Sequence, residues 1–341
     1  MSLSIRNNEA LQPYTTLQIG GVAQYFVEVA SEASLDEAVG YAQANNLPVT
    51  VLGGGSNVLI SEQGIQGLVI RMSIADVATE VLEDRVLLTA SAGMELDDLV
   101  AHAVAHGYWG LENLSHIPGT VGGAPIQNVG AYGVEVQDVI ESVRVYNTQA
   151  RKFQVLTPDE CEFEYRNSLF KKPEGAQYIV AAVTFALTTK VTPQLSYTDL
   201  HTRFAESQPT LADIRQAVIE IRATKFPNWK LVGTAGSFFK NPILPQEKYE
   251  ALCAKYPGLP GFDMGDGHTK VPLGWILDKV LHLKGIGNER VGTYQEQALV
   301  LINKGDASAE DISVFAEDII QKVYEATEIE VQWEVTKLGG E

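Results

Sequence analysis

The pattern of hydrophobic and polar residues in the first 60 positions predicts a small α/β unit. Residues 25–29 and 49–52 are rich in β-branched and aromatic side chains, which is typical of strands. Between them, a helix is predicted to begin at the S-x-x-E capping sequence of residues 34–37 and to end before Pro48. Two strands joined by one helix are therefore expected here.

The middle of the chain is dominated by strand-like runs, namely residues 58–60, 68–72, 86–90, 139–146 and 178–187. Among them, the spacing of hydrophobic residues over 96–105 indicates one amphipathic helix that ends at Gly107. A long glycine-rich stretch follows that helix. The strands and the single helix predict a region built mainly on sheets.

Helical patterns return in the C-terminal part, over residues 211–223, 246–255 (entered through Pro245), 273–281 and 309–326 (behind Ser308). Residues 298–302 and 330–335 resemble strands among these helices. Strands grouped in the middle, with mixed segments at both ends, predict an α+β protein of about three lobes.

Composition and charge exclude several classes of protein. The chain has 341 residues, 45% hydrophobic and 20% charged, which indicates a globular protein with room for a cofactor. Its formal net charge of -18 disfavours nucleic acid and anionic membranes as partners. The most apolar run, residues 178–187, is shorter than the ~20 residues that a membrane-spanning helix needs.

Cysteine use and the N-terminal sequence bear on the compartment. Only Cys161 and Cys253 occur, which cannot build a disulfide framework or a thiolate metal cage. The first 14 residues are polar and contain no export signal. A reducing cytoplasm is therefore expected.

His102 and His106 lie one helical turn apart, but without a third ligand we expect no metal.

The first candidate for chemistry is the loop Gly53-Gly54-Gly55-Ser56-Asn57, between two β-branched runs. Consecutive glycines let backbone N–H groups approach a phosphate, because no Cβ blocks it. A phosphate-binding P-loop is excluded, since no Gly-Lys-Ser/Thr follows, and the dinucleotide fingerprint lacks its third glycine. A tight strand connection without a ligand is the alternative.

The second candidate is the glycine-rich stretch of residues 117–133. It is too long for a hairpin turn and too apolar for a solvated loop, so its backbone polar groups need partners. A bound cofactor would supply those partners. A buried structural crossover is the alternative.

Together the two loops resemble the flavin-binding domain of the vanillyl-alcohol oxidase and para-cresol methylhydroxylase (PCMH) superfamily, where two such loops hold the FAD pyrophosphate. The resemblance implies non-covalent FAD, since neither cysteine and no histidine adjoins the glycines. The cofactor-binding residues that it implies are Gly53, Gly54, Gly55, Ser56, Asn57, Ile117, Pro118, Gly119, Gly122, Gly123 and Gln127.

More narrowly, ordered motifs along the chain resemble the longer subtype of the UDP-N-acetylenolpyruvoylglucosamine reductase family. They are T-L-Q-I-G-G (16–21), Y-R-N-S (165–168), G-S-F-F-K-N-P (236–242) and E-I-E-V (328–331). The resemblance implies a PCMH-type FAD-binding domain of two α/β lobes and a C-terminal α/β substrate-binding domain. The expected bounds are 1–75 with 328–341, 76–222, and 223–327.

The family's reaction implies three catalytic residues. NADPH reduces FAD, flavin N5 then delivers hydride to the enolpyruvyl group, and a protein acid protonates the neighbouring carbon to give UDP-N-acetylmuramate. Ser237 matches the proton donor, although a turn serine is the alternative. Arg166 matches the arginine that engages the substrate carboxylate and enolate, which suits a planar, permanently charged guanidinium. Glu330 matches an acid that assists the protonation or orientation of the enolate. Alternation along a strand would place Glu328 on the same face, so the choice of Glu330 comes from the resemblance alone.

The resemblance also implies contacts to substrate from Tyr132, Tyr165, Tyr197, Lys225, Asn241 and Gln297. Tyr197 would lie on a mobile loop that covers the substrate, and Gln295 and Glu296 are alternatives to Gln297. A flavin oxidase acting on another small substrate, and a nucleotide-sugar-binding or regulatory protein without catalysis, are the rival functions. We expect a monomer whose partners are small molecules only.

Overall fold

The structure, a computed structural model, describes residues 3–340, so Met1 and Ser2 of the first predicted lobe, and Glu341, lie outside the described residues. The strands are β1 (Arg6–Ala10), β2 (Val22–Val29), β3 (Val49–Leu52), β4 (Val58–Ile60), β5 (Ile65–Met72), β6 (Val77–Leu82), β7 (Arg85–Ser91), β8 (Gly130–Ala131), β9 (Val134–Glu135), β10 (Ile140–Asn147), β11 (Lys152–Leu156), β12 (Tyr178–Thr188), β13 (Gly233–Ser237), β14 (Ile243–Pro245), β15 (Phe262–Asp263), β16 (His268–Lys270), β17 (Val291–Thr293), β18 (Val300–Asn303) and β19 (Thr336–Leu338).

The α-helices lie between these strands in the sequence. They are α1 (Glu32–Ala44), α2 (Leu96–Ala105), α3 (Thr198–Arg203), α4 (Leu211–Lys225), α5 (Gln246–Lys255), α6 (Leu273–Trp275) and α7 (Ala309–Thr327). Within residues 3–340, no helix is both long enough and apolar enough to cross a membrane.

The first compact unit contains the residues up to 9, 23–55 and 66–223. It holds a four-stranded sheet of order β1-β2-β5-β3, in which β3 and β5 are parallel. It also holds a five-stranded antiparallel sheet of order β11-β10-β12-β7-β6. Helices α1 and α2 bury Leu35, Val39, Leu99 and Val100 in one core with the sheet residues.

The second unit contains residues 10–22, 56–65 and 224 onward. Its sheets have the orders β13-β18-β17 and β14-β16-β15, and β19 pairs in parallel with β4. Phe238 and Phe239 are buried in its core with Ile312 and Ile319 of α7. The division of the FAD-binding part into two lobes at residue 75 stays a prediction.

Most predicted elements are present, but three predictions were wrong in part. Helix α1 begins at Glu32, because Ser31 rather than Ser34 is its N-cap and Ser34 completes the capping box. Residues 330–335 form no strand; only Trp333 bridges to Phe239, and the strand follows as β19. The helix predicted over 273–281 continues from α6 as a π-helical turn at Ile276–Val280.

Both cysteines are free, and their surroundings differ. Cys161 is fully buried, and burial, with a smaller effect from Glu160, raises the pKa of its thiol to about 12. Cys253 is half-buried, with its Sγ 3.8 Å from the carbonyl oxygen of Leu259. Because the thiolate is the reactive form, Cys161 should be inert in the folded protein.

We predict that Ellman's reagent at pH 8 modifies Cys253 quickly in the folded protein and modifies Cys161 only after denaturation. The number of reactive thiols, followed by absorbance with and without guanidinium, checks this. The control is Cys253→Ser, which should show no fast-reacting thiol. A fast phase that persists in that variant would contradict the burial of Cys161.

Candidate functional site

The two glycine-rich loops touch each other in the first unit. A Cβ on Gly54 would lie 2.8 Å from the Cα of Gly119, and one on Gly53 would lie 2.7 Å from Thr120 Oγ1. Both distances are shorter than real Cβ contacts. Gly55 and Gly119 also have positive φ angles of 60° and 123°, which favour glycine. The close approach therefore requires glycine at position 54, and the backbone conformation favours glycine at position 119.

Backbone hydrogen bonds hold the second loop in place. The N–H groups of Val121 and Gly122 donate to the carbonyls of Met94 and Ala92, at 2.8 Å and 2.9 Å. In return, the N–H of Leu96 donates to the carbonyl of Gly119 at 3.0 Å. The loop is thus fixed to the segment that connects β7 with α2.

A cavity of about 500 Å³ lies beside these loops, within the first unit. Gly53, Thr120 and Gly122 line it together with apolar side chains that include Val39, Met72 and Phe170. Thr120 Oγ1 is buried and has no hydrogen-bond partner among the described residues. A buried hydroxyl without a partner is costly, so the site suits a ligand with an acceptor or donor at that point. A largely apolar cavity beside two glycine-rich loops fits a nucleotide cofactor.

Arg166 is held at the corner of a short turn. Glu164 and Asn167 exchange two backbone hydrogen bonds of 3.1 Å, and Arg166 between them has a positive φ of 53°. Its guanidinium donates from Nη2 to the carbonyl of Gly130 at 2.8 Å. It also lies 5.4 Å from the ring centre of Tyr165. The turn therefore places Arg166 beside the strand that leads to Tyr132.

Tyr132 and Tyr197 meet edge to face, with 5.0 Å between ring centres and an angle of 77°. The amide of Asn113 donates to the carbonyls of Tyr132 and Gln194, at 2.8 Å and 2.9 Å. It thereby ties the base of the Tyr197 segment to the Tyr132 loop. In the first unit, the structure brings together the predicted residues Tyr132 and Tyr197, with Arg166 on the adjoining turn.

Ser237 ends β13 in the second unit, where its pairing with β18 is irregular between Thr234 and Ser237. The preceding Gly236 has a φ of 74°, and no atom lies within 4 Å of where its Cβ would be. Ser237 is half-buried. The backbone after it pairs with the C-terminal segment: the Lys240 N–H donates to the Gln332 carbonyl at 2.9 Å, and the Glu334 N–H to the Phe238 carbonyl at 2.8 Å.

Glu328 and Glu330 do not share a strand. Glu328 ends α7 with a left-handed φ of 55°, while Glu330 is exposed between buried Ile329 and Val331. Glu330 precedes the residues that pair with β13 and its continuation. The expectation that strand geometry makes the two acids equivalent was therefore wrong, because the left-handed residue turns the chain at Glu328.

The other predicted residues of the second unit lie at ends of elements. Asn241 Oδ1 accepts from the N–H of Leu273 at 3.0 Å, where α6 begins. Gln297 is half-buried and accepts from the N–H of Leu299 at 3.3 Å, whereas Gln295 and Glu296 are exposed. Lys225 is the last residue of α4. Of the three candidates at 295–297, Gln297 is the one that side-chain contacts hold in place.

The predicted site residues divide between the two units. Those of the first unit are Gly53, Gly54, Gly55, Ile117, Pro118, Gly119, Gly122, Gly123, Gln127, Tyr132, Tyr165, Arg166 and Tyr197. Those of the second unit are Ser56, Asn57, Lys225, Ser237, Asn241, Gln297 and Glu330. The unit boundary falls inside the first glycine loop, between Gly55 and Ser56. The roles of these residues stay predictions.

Sequence reasoning missed two polar residues near the loops, Thr120 and Arg222. Arg222 is 9% exposed, and its Nε donates to the carbonyl of His116 at 2.9 Å. Burial lowers the pKa of its guanidinium, and its interactions with Tyr132 and Asp97 oppose that effect. The sequence did indicate burial at this position, because Ile214, Val218 and Arg222 follow one another at four-residue intervals and so lie on the same buried face of α4.

Glu112 is a second buried charged residue, 1% exposed, in the turn before the loop. Its Oε2 accepts from the N–H of Gly110 at 2.7 Å, and its Oε1 has no partner among the described residues. Burial raises the pKa of this carboxyl, and the hydrogen bond from Gly110 opposes the shift only in part. No sequence pattern pointed to it.

Comparisons with known proteins agree with this geometry. Residues 23–151 match the model of an FAD binding domain, and residues 227–338 match that of the C-terminal domain of UDP-N-acetylenolpyruvoylglucosamine reductase. A reductase of that name from Neisseria meningitidis serogroup A is 40% identical over 97% of this chain and 96% of its own length. One from Ralstonia nicotianae is 41% identical over 91% of this chain and 92% of its own length.

Among solved structures, the UDP-N-acetylenolpyruvylglucosamine reductase of Thermus caldophilus aligns with a TM-score of 0.68 and 26% identity, over 99% of this chain and 100% of that one. The fold and the touching loops thus define a flavin-binding protein with an additional C-terminal domain. The chain belongs to the UDP-N-acetylenolpyruvoylglucosamine reductase family. The predicted α+β fold with a PCMH-type FAD-binding domain is confirmed.

We predict that Gly54→Ala abolishes tight FAD binding while the protein stays folded, because the added carbon would collide with the backbone of Gly119. Titration of the apoprotein with FAD, with circular dichroism to check folding, measures this. Gly107→Ala is the comparison, since Gly107 is exposed beyond the end of α2 and no atom lies within 4 Å of its added carbon. If Gly54→Ala bound FAD as tightly as Gly107→Ala, the loop contact would not control the site.

Proposed function

We propose that this chain catalyses the NADPH-dependent reduction of UDP-N-acetylenolpyruvoylglucosamine to UDP-N-acetylmuramate, with FAD as its non-covalent cofactor. The observation that carries the proposal is the pair of touching glycine loops in a chain that is 40% identical to such a reductase over 97% of its length. Bound FAD supplies the chemistry of accepting hydride from NADPH and passing it to the enolpyruvyl carbon.

The chain's own residues hold the cofactor in the first unit. The N–H groups around Gly54 and Gly119 suit the negative oxygens of a pyrophosphate, because a nest of backbone dipoles attracts anions. Thr120 offers a hydroxyl that has no other partner among the described residues, and the adjacent apolar cavity excludes water from the cofactor. The buried cation Arg222 lies next to the same loop.

Arg166 and the aromatic pair bind the substrate in this proposal. A guanidinium can engage a carboxylate with two parallel hydrogen bonds and remains charged at every working pH. Tyr132 and Tyr197 already form one cluster, so closing the Tyr197 segment over a nucleotide sugar needs only local movement. Lys225, Asn241 and Gln297 supply a cation and amides for the diphosphate and the sugar. Local cations offset the repulsion that a net charge of -18 imposes on an anionic substrate.

Ser237 donates the proton to the carbon beside the carboxylate, and Glu330 assists. A serine hydroxyl is a weak acid, so this role needs nearby cations or relay groups to stabilise the alkoxide. The candidates are Lys225, Lys240 and Asn241, of which the last two follow Ser237 closely in the chain. Ser237 itself pairs with Val300 of β18, directly after the irregularity that follows Thr234.

A flavin oxidase acting on another substrate is the rival function. It is distinguished by whether the dithionite-reduced enzyme is reoxidised faster by the enolpyruvyl nucleotide or by air. We also propose that the enzyme acts as a monomer in the cytoplasm, and analytical ultracentrifugation of the purified chain tests its oligomeric state.

Ser237→Ala should leave the reduction of FAD by NADPH nearly unchanged and slow the second half-reaction. Loss of a positioned general acid typically costs ~10²–10⁴ in rate. Ser237→Cys keeps an acidic proton at this position and should retain more activity than alanine. Stopped-flow reduction followed by mixing with the enolpyruvyl substrate measures both steps, and equal slowing of the two in Ser237→Ala would refute the assignment.

Tyr197→Phe should weaken substrate binding by roughly tenfold to a hundredfold, because a lost hydrogen bond to a charged group is worth ~1.5–3 kcal/mol. Flavin reduction by NADPH should be unaffected. Isothermal titration with the enolpyruvyl substrate measures the affinity. Tyr324→Phe is the matched control, because this tyrosine lies on the exposed face of α7, and an unchanged affinity in Tyr197→Phe would exclude Tyr197 as the covering residue.

A further inference from the structure

A chain of polar contacts connects α4 to His116, the residue directly before the second glycine loop. Arg215 on α4 makes two hydrogen bonds to Asp97 on α2, 2.6 Å to Oδ1 and 3.0 Å to Oδ2. Asp97 Oδ1 also accepts the backbone N–H of His116 at 2.6 Å. The carbonyl of the same His116 accepts from Arg222, also on α4, at 2.9 Å. Both peptide groups that flank His116 are therefore held by α2 and α4.

His116 needs this support because of its backbone conformation. Its φ is 59°, which is uncommon for a residue with a Cβ and persists where the surroundings fix it. Ile117, Pro118 and Gly119 follow directly, and Gly119 is the residue that touches Gly54. The direction in which the chain leaves His116 therefore sets the position of the cofactor-binding backbone.

The Asp97–Arg215 pair has the properties of a fixed support rather than of a surface ion pair. Its side chains are 30% and 18% exposed, and the carboxylate and guanidinium meet through two parallel hydrogen bonds. Burial acts to raise the pKa of Asp97. The hydrogen bonds from Arg215 and from the His116 N–H together lower the pKa by more than burial raises it, so the net shift is downward. The carboxylate is thus charged at neutral pH.

We propose that Asp97 and Arg215 are positioning residues for the FAD-binding loop, acting through the backbone of His116. Neither side chain has to touch the cofactor. Asp97 orients the His116 N–H, and Arg215 keeps the carboxylate in the orientation that this bond needs. The proposal rests on the proposed use of FAD, and it adds a function for α2 and α4 that the motifs did not indicate.

The experiment compares the affinity of the apoprotein for FAD in three variants, with no enolpyruvyl substrate present. Asp97→Ala removes the acceptor of the His116 N–H, and we expect the Kd for FAD to rise about tenfold or more. Asp97→Asn keeps an oxygen at the same place, so it should restore most of the affinity. Glu220→Gln is the control, because it weakens the exposed ion pair between Glu220 of α4 and Arg203 of α3 and should bind FAD like the wild type.

Flavin fluorescence gives the Kd, and thermal unfolding of the apoprotein separates affinity from stability. If Asp97→Ala does not fold, the rate of FAD release from Arg215→Lys holoenzyme, which keeps the charge but loses the fork, should be several-fold faster than wild type. Equal Kd values in wild type and Asp97→Ala, or equal losses in Asp97→Ala and Asp97→Asn, would overturn the proposal. A wild type that binds no FAD would instead overturn the proposed function and this proposal with it.

Discussion

The contact between Gly54 and Gly119 is the constraint on which the rest of the first unit depends. Backbone can approach backbone at this distance only if residue 54 carries no Cβ, and the positive φ of residue 119 also favours glycine. The contact also requires β3 to end at Leu52 and the second loop to be held against the segment before α2. A small error in either element would separate the loops, since a well-packed core does not deform continuously.

The two sheets of the first unit serve this contact in different ways. The parallel pairing of β3 with β5 buries Leu68 and Ile70 and delivers the first loop from the edge of one sheet. The second loop is fixed instead by α2 and by the hydrogen bonds of Ala92 and Met94 beyond β7. The cavity lies beside the place where they meet, so its lining combines residues from distant parts of the sequence.

Charge in this protein is arranged locally rather than globally. The net charge of -18 is unfavourable for anionic ligands, yet Arg222 is buried next to the second loop and Arg166 is held by the carbonyl of Gly130. A buried guanidinium is costly unless it is hydrogen-bonded, and here the carbonyl of His116 accepts from Arg222 while that of Gly130 accepts from Arg166. Interactions with Tyr132 and Asp97 also favour the charged form of Arg222.

Local pattern was sufficient for most elements and for the main features of the site. The limits of β3, β4, α2 and α5 follow from side-chain periodicity and from capping residues, which act over a few neighbouring positions. The consecutive glycines at 53–55 also permit a close approach by another group, because no Cβ blocks it. The sequence motifs were enough to indicate the family and its cofactor.

Tertiary structure alone decided what lies opposite each of these features. Three features depend on contacts between positions that are distant in the sequence. Gly54 faces Gly119, and Arg222 reaches His116. Residues 10–22 and 56–65 pack with the C-terminal part of the chain in the second unit. The misplaced strand at 330–335 has the same cause: Ile329 and Val331 alternate with exposed residues as in a strand, but the segment pairs with the residues after β13 only through an isolated bridge between Trp333 and Phe239. The spacing of hydrophobic residues along the sequence indicates which side chains are buried. The partner of a backbone N–H group, in contrast, depends on which distant segment packs beside it once the whole chain has folded.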